Sequence, residues 1–277
     1  MENSIEKATT AIDKISAVLL AIKGHSVDKK QVVVVEGDDD AAFYSRFVDE
    51  TTCDIIVNNS CFAYPEISEN CNKKGYANRY FLIKDADFDR LIGRTPVDNQ
   101  LLTDYHDKEM FLSTLDIDTL LQTKYGVIIN TKSISSSIRT LSFTKWYNMA
   151  MGLKLSFKKK CTLPKVYDGE NDIDIQKCIM QLSADPKNTG KTIMAAEEIE
   201  TFGSSNNAAD WRQYTNGHDW FQAIALWMNK KQKKIYSYKV DILPYLESAY
   251  QMSDFSGTSL CHDIEAREIA IGRKILL

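Results

Sequence analysis

Acidic side chains follow three apolar segments of this 277-residue chain, and their types and spacing point to metal chemistry. The acidic clusters are Glu36–Asp40, Asp85–Asp89 and Asp104–Glu109, and they hold ten acids and one lysine. Carboxylates brought close together repel one another unless a cation offsets their charge. Hard oxygen ligands of this kind select Mg²⁺, Mn²⁺ or Ca²⁺. Such a cation can bind phosphate oxygens and lower the pKa of a bound water.

Each acidic cluster is preceded by a predicted β-strand. Residues 31–35 form a β-branched run without alternation, which is typical of a strand buried on both faces of a parallel sheet. Further strands are predicted at Cys53–Val57, Arg79–Lys84 and Asn99–Thr103, with a helix at Ala41–Asp49 capped by Asp39 or Asp40. Because the carboxyl ends of parallel strands meet at one edge of a sheet, acids some 50 residues apart are expected to converge.

The distribution of charge differs between the two parts of the chain. Residues 1–130 carry 14 Lys/Arg and 22 Asp/Glu, whereas residues 131–277 carry 20 and 16. The overall net charge of −4 gives no sign of a nucleic-acid partner. Outside the three acidic clusters, however, 33 basic and 28 acidic residues remain, so the rest of the chain is mildly basic.

The order of the predicted elements indicates an α/β fold with a mostly parallel sheet flanked by helices over residues 31–130. After a Ser-rich junction at Ser133–Ser137, residues 131–277 are predicted to form a mainly α-helical C-terminal domain. Its predicted helices are Phe143–Leu153, Ile173–Leu182, Lys191–Ile199, Asp219–Asn229, Ile242–Tyr250 and Thr258–Leu276, with a loop at Gly203–Asn207.

Residues 1–30 are predicted to contain an amphipathic helix between a Ser4 cap and Gly24. Its apolar positions alternate in steps of three and four, as in Ile5, Ala8, Ile12, Ile15, Leu19 and Ile22. This face could pack on the core, or it could form a homodimer or bind a partner, and three heptads do not decide between these interpretations.

Targeting signals and cysteine motifs are absent from the sequence. No basic region precedes an apolar core at residues 1–14, and no apolar run approaches the ~18 residues of a membrane span. The six cysteines form no CxxC pair, which argues against a zinc ribbon or a thioredoxin-like site. We therefore expect a cytoplasmic protein with reduced, half-buried thiols and no membrane partner.

Other chemistries compete for the acidic clusters. A calcium loop fits poorly, because Arg90 replaces the required glycine and Pro96 stands where a glutamate is needed. An aspartyl phosphatase of the DxDx[TV] kind fits better, since Asp85-Ala86-Asp87 follows a strand, although Asp89 replaces the Thr or Val. Residues 189–192 resemble the end of a P-loop that lacks its first glycine, so nucleotide binding at that motif is not expected.

Two basic tracts interleave lysines with aromatic residues, at Lys154–Lys160 and Lys230–Lys239. Such surfaces can follow a phosphate backbone and stack bases, although solvated helix ends also carry lysines. The candidate nucleic-acid-binding residues are Lys158, Lys159, Lys160, Lys233 and Lys234, together with Lys84 beside the second acidic cluster.

The segments VVVVEGDDDAAFY and FLIKDADFD resemble a TOPRIM domain, whose signature is a Glu-Gly after the first strand and an Asp-x-Asp after a later one. With TDYHDKEMFL and NGHDWFQAIALW downstream, the chain resembles the TOPRIM-like effector nucleases of the two-gene PARIS anti-phage defence system. The resemblance covers about residues 30–115, and the remainder only loosely.

The resemblance implies a Mg²⁺- or Mn²⁺-dependent endonuclease in which Glu36, Asp85 and Asp87 form the catalytic and metal site. Asp89, Asp104 and Glu109 are further candidate ligands. It also implies a toxic effector that cleaves nucleic acid, with transfer RNA favoured over DNA, and that an ABC-type ATPase holds inactive until a phage protein releases it.

Several members of the wider TOPRIM group do not match. No helix-turn-helix signal frames a tyrosine as in a topoisomerase, and the cysteines cannot make the zinc module of a primase. Two alternatives to the nuclease stay open. One is a catalytically inactive TOPRIM module that regulates an ATPase partner, and the other is a Mg²⁺-dependent phosphatase.

Overall fold

The computed structural model describes residues 4–277 and the side chains from residue 12 onward. The chain divides into two compact units built from interleaved segments. The sheet unit comprises Met1–Asp85, Thr95–Asp104 and Gln251–Leu277, and the helical unit comprises Ala86–Arg94 and Tyr105–Tyr250. The domain boundary predicted near residue 130 therefore falls inside the helical unit.

The sheet unit contains a four-stranded, all-parallel sheet. Its strands are β1 (Gln31–Val35), β2 (Cys53–Val57), β3 (Tyr80–Lys84) and β4 (Gln100–Leu102), in the order β2-β1-β3-β4. All five residues of β1 are buried, as expected for a central strand covered on both faces. The predicted α/β class and the four predicted strands are confirmed, each strand to within one residue at either end.

The α-helices follow in chain order. They are α1 (Ser4–Gly24), α2 (Asp38–Tyr44), α3 (Tyr64–Lys73), α4 (Ile117–Tyr125), α5 (Thr131–Ser137), α6 (Arg139–Ala150), α7 (Leu163–Val166), α8 (Ile175–Ser183), α9 (Ala196–Ser205), α10 (Trp211–Tyr214), α11 (Gly217–Gln232), α12 (Leu243–Ala249), α13 (Met252–Phe255) and α14 (Ser259–Ile271). Helix α12 is preceded by a π-helical turn at Tyr238–Ile242. In the described part of the chain no helix is long and apolar enough to cross a membrane.

Helix α1 packs against the sheet through its second half. Val18 and Ile22 are fully buried in a core cluster with residues of β1, α3 and β3, whereas Ile12 is 62% exposed. Ile15 and Leu19 are partly buried at the edge of this cluster. The side chains of Ile5 and Ala8 lie outside the described residues, so the proposed partner surface on the first half of α1 stays a prediction.

The last segment of the chain completes the sheet unit. Asp49 donates its backbone N–H to the Ile275 carbonyl at 2.7 Å, and Leu277 donates to the Phe47 carbonyl at 3.0 Å. The Phe255 ring stacks on Phe47 with centroids 4.5 Å apart. The helix predicted to reach residue 276 ends at Ile271, because Gly272 has the left-handed φ of 64° that closes a helix.

The helical unit confirms the prediction of a mainly helical region but corrects several boundaries. The spacing of Met110, Leu112, Leu115 and Leu120 predicts an amphipathic helix that begins near Met110, and this prediction is wrong. A 3₁₀ turn at Lys108–Thr114 comes first, and α4 then starts where the Asp116 side chain accepts the Thr119 N–H at 3.2 Å. The junction predicted at 133–137 is also wrong, since these residues lie in α5. The residues 203–205 assigned to a loop belong to α9, which starts later than the helix predicted at 191–199.

Aromatic stacking organises the core of the helical unit. Phe143 stacks on Tyr214 at a centroid distance of 4.7 Å, and Trp146 lies parallel to the same ring at 5.7 Å. Helix α9 approaches closely at Gly203, where a β-carbon would lie 3.0 Å from the Phe143 ring. The small residue therefore permits this helix contact.

The six cysteines form no disulfide. Five are buried and Cys61 is half-buried. This agrees with the prediction of free thiols inside the fold.

Candidate active site

Glu36 and Asp85 lie at the same edge of the sheet. Glu36 is the first residue after β1, and Asp85 is the first residue after β3, the strand paired with β1. The register pairs Val34 with Leu82, so the two strands end within one residue of each other. Neighbouring strands are about 4.8 Å apart. The two residues therefore follow adjacent strand ends, as the predicted parallel sheet requires, and both side chains are half-buried.

The hydroxyl of Tyr64 is affected by the negative charges of both Glu36 and Asp85. It donates to the Ile83 carbonyl at 2.9 Å and lies 3.4 Å from the Val34 carbonyl, so it joins the ends of β3 and β1. Burial raises the pKa of Tyr64, and the negative charges of Glu36, Asp40 and Asp85 raise it further. Three carboxylates thus act on one buried hydroxyl at this edge.

Asp40 is a member of this group that the sequence predicted only as a helix cap. Helix α2 begins at Asp38, with Gly37 as its N-cap in extended conformation, and the Asp40 carboxylate accepts the Gly37 N–H at 2.9 Å. The helix predicted at 41–49 therefore starts three residues early and ends at Tyr44. Acidic residues in a first helical turn are favourable because the helix dipole is positive there.

Lys84 brings a positive charge to the same edge. Its ammonium group donates to the Asp85 backbone carbonyl at 2.9 Å, and the side chain is half-buried. Lys84, a predicted nucleic-acid-binding residue, therefore lies next to Asp85 at the end of β3.

Asp104, a predicted metal ligand in the sheet unit, serves as a helix cap. Its two carboxylate oxygens accept the backbone N–H groups of Ser259 at 2.6 Å and Leu260 at 2.9 Å. The donors of a helix N-terminus need such acceptors. In this structure Asp104 positions α14 against the end of β4.

The other two acids of the second cluster belong to the helical unit, which begins directly after Asp85. Asp87 is exposed, has a left-handed φ of 47° and donates its N–H to the His106 carbonyl at 2.6 Å. Asp89 is buried, and its carboxylate pairs with the Arg94 guanidinium at 2.8 Å. Asp89 thus has a structural partner inside its own unit.

The third acidic cluster continues into a buried polar network. The Asp107 carboxylate accepts from the Gly217 N–H at 2.7 Å, from Asn216 Nδ2 at 3.1 Å and from the Met110 N–H at 3.2 Å, with His106 Nδ1 at 3.2 Å. Burial would raise the pKa of Asp107, but these donors and the neighbouring histidine hold it below its ordinary value. A β-carbon at Gly217 would collide with the carboxylate, so glycine is required there.

Glu109, another predicted ligand, lies in the same network. Its carboxylate is 2.7 Å from Lys108 Nζ and 3.7 Å from His218 Nε2, and Lys108 Nζ is 4.0 Å from Glu247. Lys108 and Glu109 are both buried. Buried charges are tolerated when they are paired in this way, and this pairing gives Glu109 a structural environment in the helical unit.

The chemistry of the sheet-edge donors fits a hard divalent cation. Among the residues that the structure describes, no three histidine, cysteine or carboxylate side chains stand together as a ready metal site. The acidic side chains at the sheet edge are carboxylates, the ligands that Mg²⁺ and Mn²⁺ prefer. A bound cation would offset the negative charges that act on Tyr64.

Apart from Lys84, the predicted basic residues lie in the helical unit. Lys158 borders a cavity of the helical unit, and Lys159 and Lys160 continue its exposed loop. Lys233 ends α11 in a left-handed conformation, and Lys234 is exposed beyond it.

The P-loop-like residues are part of ordinary turns. The Asp185 carboxylate accepts the Lys187 N–H at 3.0 Å, and Lys191 Nζ donates to the Lys154 carbonyl at 2.5 Å. The lysine of this motif is therefore used to hold the neighbouring loop.

Comparisons with known proteins return no family: no protein-family model, curated protein or solved structure matches this chain.

Proposed function

We propose that this protein is a metal-dependent nuclease that hydrolyses phosphodiester bonds, with transfer RNA favoured over DNA. The observation that carries the proposal is the placement of Glu36 and Asp85 after two adjacent parallel strands that end together. The resemblance of the Glu-Gly and Asp-x-Asp segments to TOPRIM nucleases supports the same chemistry.

Glu36 and Asp85, with Asp40 beside them, would hold Mg²⁺ or Mn²⁺. Such a cation, when bound, supplies Lewis acidity and lowers the pKa of water. As the water oxygen bonds to phosphorus and the bond from phosphorus to the leaving oxygen breaks, the Glu36 carboxylate would accept the proton of the water. The leaving oxygen would take a proton from bulk water. The Lys84 ammonium would offset negative charge that grows on the phosphoryl oxygens.

Tyr64 is a positioning residue in this scheme. Its hydroxyl donates to a backbone carbonyl of β3 and lies beside one of β1, so it fixes the relative height of the two strand ends. The carboxylates that follow those ends are thereby held in register. A site on rigid strand ends is more exact than one on a mobile loop.

The biological setting follows from the resemblance alone. We propose a cytoplasmic effector of anti-phage defence that an ABC-type ATPase holds inactive. Ile12 and Leu20, which are 62% and 66% exposed on α1, offer apolar contacts for that partner or for a homodimer.

Cleavage assays on the purified protein test the proposal. Total transfer RNA and plasmid DNA are incubated with Mg²⁺, Mn²⁺ or EDTA, using the natural protein, Glu36→Gln and the matched control Glu69→Gln. Glu69 is exposed on α3 and pairs with Lys73 at 2.6 Å. We expect metal-dependent cleavage that Glu36→Gln abolishes and Glu69→Gln retains, with unchanged circular dichroism for both variants.

Two outcomes would contradict this function. If Glu36→Gln cleaved at the rate of the natural protein, the carboxylate at the sheet edge would have no part in the reaction. Release of phosphate from p-nitrophenyl phosphate without strand cleavage would support a phosphatase instead.

A further inference from the structure

The helical unit contains a cavity of about 700 Å³ that the sheet-edge chemistry does not use. This volume is within the range of small-molecule sites, about 300–1,000 Å³. Four lysines and one aspartate border the cavity, which gives it a formal charge of three positive. Aromatic rings form much of its apolar lining.

Among the described residues, three of the four cavity lysines have no acidic partner. Lys145 pairs with Asp219 across the cavity wall. Within the part of the chain that the structure describes, the ammonium groups of Lys154, Lys158 and Lys187 form no ion pair, and all three residues are exposed. Three unpaired lysines around one concavity favour a ligand that carries phosphate.

Two half-buried aromatic rings, those of Phe157 and Tyr238, line the same cavity as these lysines. Lys145 Nζ lies 5.9 Å from the centroid of Phe157, and the ring of His218 meets Tyr238 edge-on with centroids 5.9 Å apart. Rings in a basic setting provide the stacking surface that nucleobases use, and stacking tolerates any base.

The lysine-bearing loop is held in place from two sides. Asn148 of α6 accepts the Leu155 N–H at 2.8 Å. The buried Asn188 accepts the Ser156 N–H at 2.7 Å and donates to the Ser156 carbonyl at 3.1 Å. Because both side chains bind the loop backbone, the lysines and Phe157 are presented by a preorganised segment, which lowers the entropy lost on binding.

We propose that this cavity binds a nucleotide, with its phosphate on Lys154, Lys158 and Lys187 and its base against Phe157 or Tyr238. The ligand is either a free nucleotide or one nucleotide within a single strand. All of these residues belong to the helical unit. Binding there does not require the proposed metal site and can be measured without cleavage.

The test uses the full chain in EDTA and follows the fluorescence anisotropy of a fluorescein-labelled, ten-nucleotide single-stranded RNA. The cavity variant is Lys158→Ala with Lys187→Ala. Its matched control is Lys74→Ala with Lys132→Ala, which removes the same charge from exposed positions outside the cavity. Phe157→Leu removes the aromatic ring and keeps an apolar side chain. The competitors are 5′-AMP, adenosine, inorganic phosphate and the unlabelled RNA.

We expect the cavity variant to weaken binding about tenfold and to reduce the salt dependence, because each lost phosphate contact lowers the slope by about one. Phe157→Leu should weaken it about fivefold through lost stacking. The control double variant should stay within about twofold.

Competition by 5′-AMP supports a free nucleotide, and competition only by the unlabelled RNA supports a nucleotide within a strand. Equal losses in the two double variants would overturn the inference, and so would inorganic phosphate competing as well as 5′-AMP. Binding at the cavity without Mg²⁺-dependent cleavage would leave this inference standing and remove the proposed function, so the two can fail separately.

Discussion

The acids at the edge of the sheet unit and the acids buried in the helical unit come from similar stretches of sequence but have opposite surroundings. Glu36 and Asp85 are half-buried at strand ends, where their charges act on one hydroxyl. Asp107 and Glu109 are buried among backbone N–H donors and a lysine of their own unit. Similar acid-rich stretches after strands are thus placed by the fold in different surroundings, one at a sheet edge and the other inside a buried network.

The same comparison applies to the basic residues. Lys108 is buried against Glu109, and its charge is neutralised within the fold. Lys158 and Lys187 are exposed around a cavity, and within the described residues they form no ion pair. Charges that stabilise the fold and charges that could meet a ligand are thus distinguished by burial and pairing.

The largest effect is expected from a comparison of Asp85 with Asp89, the first and last residues of the second acidic cluster. Asp85→Asn should lower metal-stimulated cleavage by about a hundredfold or more, because it removes a carboxylate at the proposed cation site. Asp89→Asn, the matched control, loses an ion pair with Arg94 and should change cleavage less than about threefold. Initial rates on transfer RNA at saturating Mg²⁺ measure both, and equal losses would break the distinction.

Asp107→Ala should destabilise the helical unit by about 3 kcal/mol, because it leaves buried N–H donors without their charged acceptor. Urea unfolding followed by tryptophan fluorescence measures this, since all four tryptophans lie between residues 146 and 227. The exposed Glu197→Ala is the control and should stay within about 0.5 kcal/mol. A normal midpoint for Asp107→Ala would show that the network adds no stability.

The smallest expected effect concerns Asp104, which lies in the sheet unit but caps a helix. Asp104→Ala should weaken the start of α14 by about 1 kcal/mol. Hydrogen–deuterium exchange should therefore speed up several-fold in peptides covering residues 258–271, while cleavage stays within threefold. Asp263→Ala, exposed on the same helix, should leave exchange unchanged. Lost cleavage with normal exchange would instead place Asp104 among the metal ligands.

The sheet and its edge were predictable because the signals are local. The valine run of β1 marks a strand buried on both faces, and the abrupt change to Glu36 and Gly37 marks its end. A parallel sheet then dictates that strand ends share an edge, so the meeting of Glu36 and Asp85 follows from chain direction alone.

The buried network could not be predicted because its parts are distant in sequence. Asp107 is held by Asn216 and Gly217, more than 100 residues later in the chain. Nothing local distinguishes its cluster from a solvated acidic turn. The available signal was the Asn-Gly before an apolar helix, where a cap and a residue without a side chain come together.

The assignment of residues 251–277 to the sheet unit has a consequence for how the protein is made. These residues leave the ribosome after the whole of the helical unit, yet Ile275 and Leu277 pair with the backbone beside α2. The intervening 146 residues, 105–250, take roughly 7–30 s to synthesise at the usual rate of about 5–20 residues per second. During that interval the nascent sheet unit lacks α14, so this unit becomes complete only after the helical unit has been synthesised.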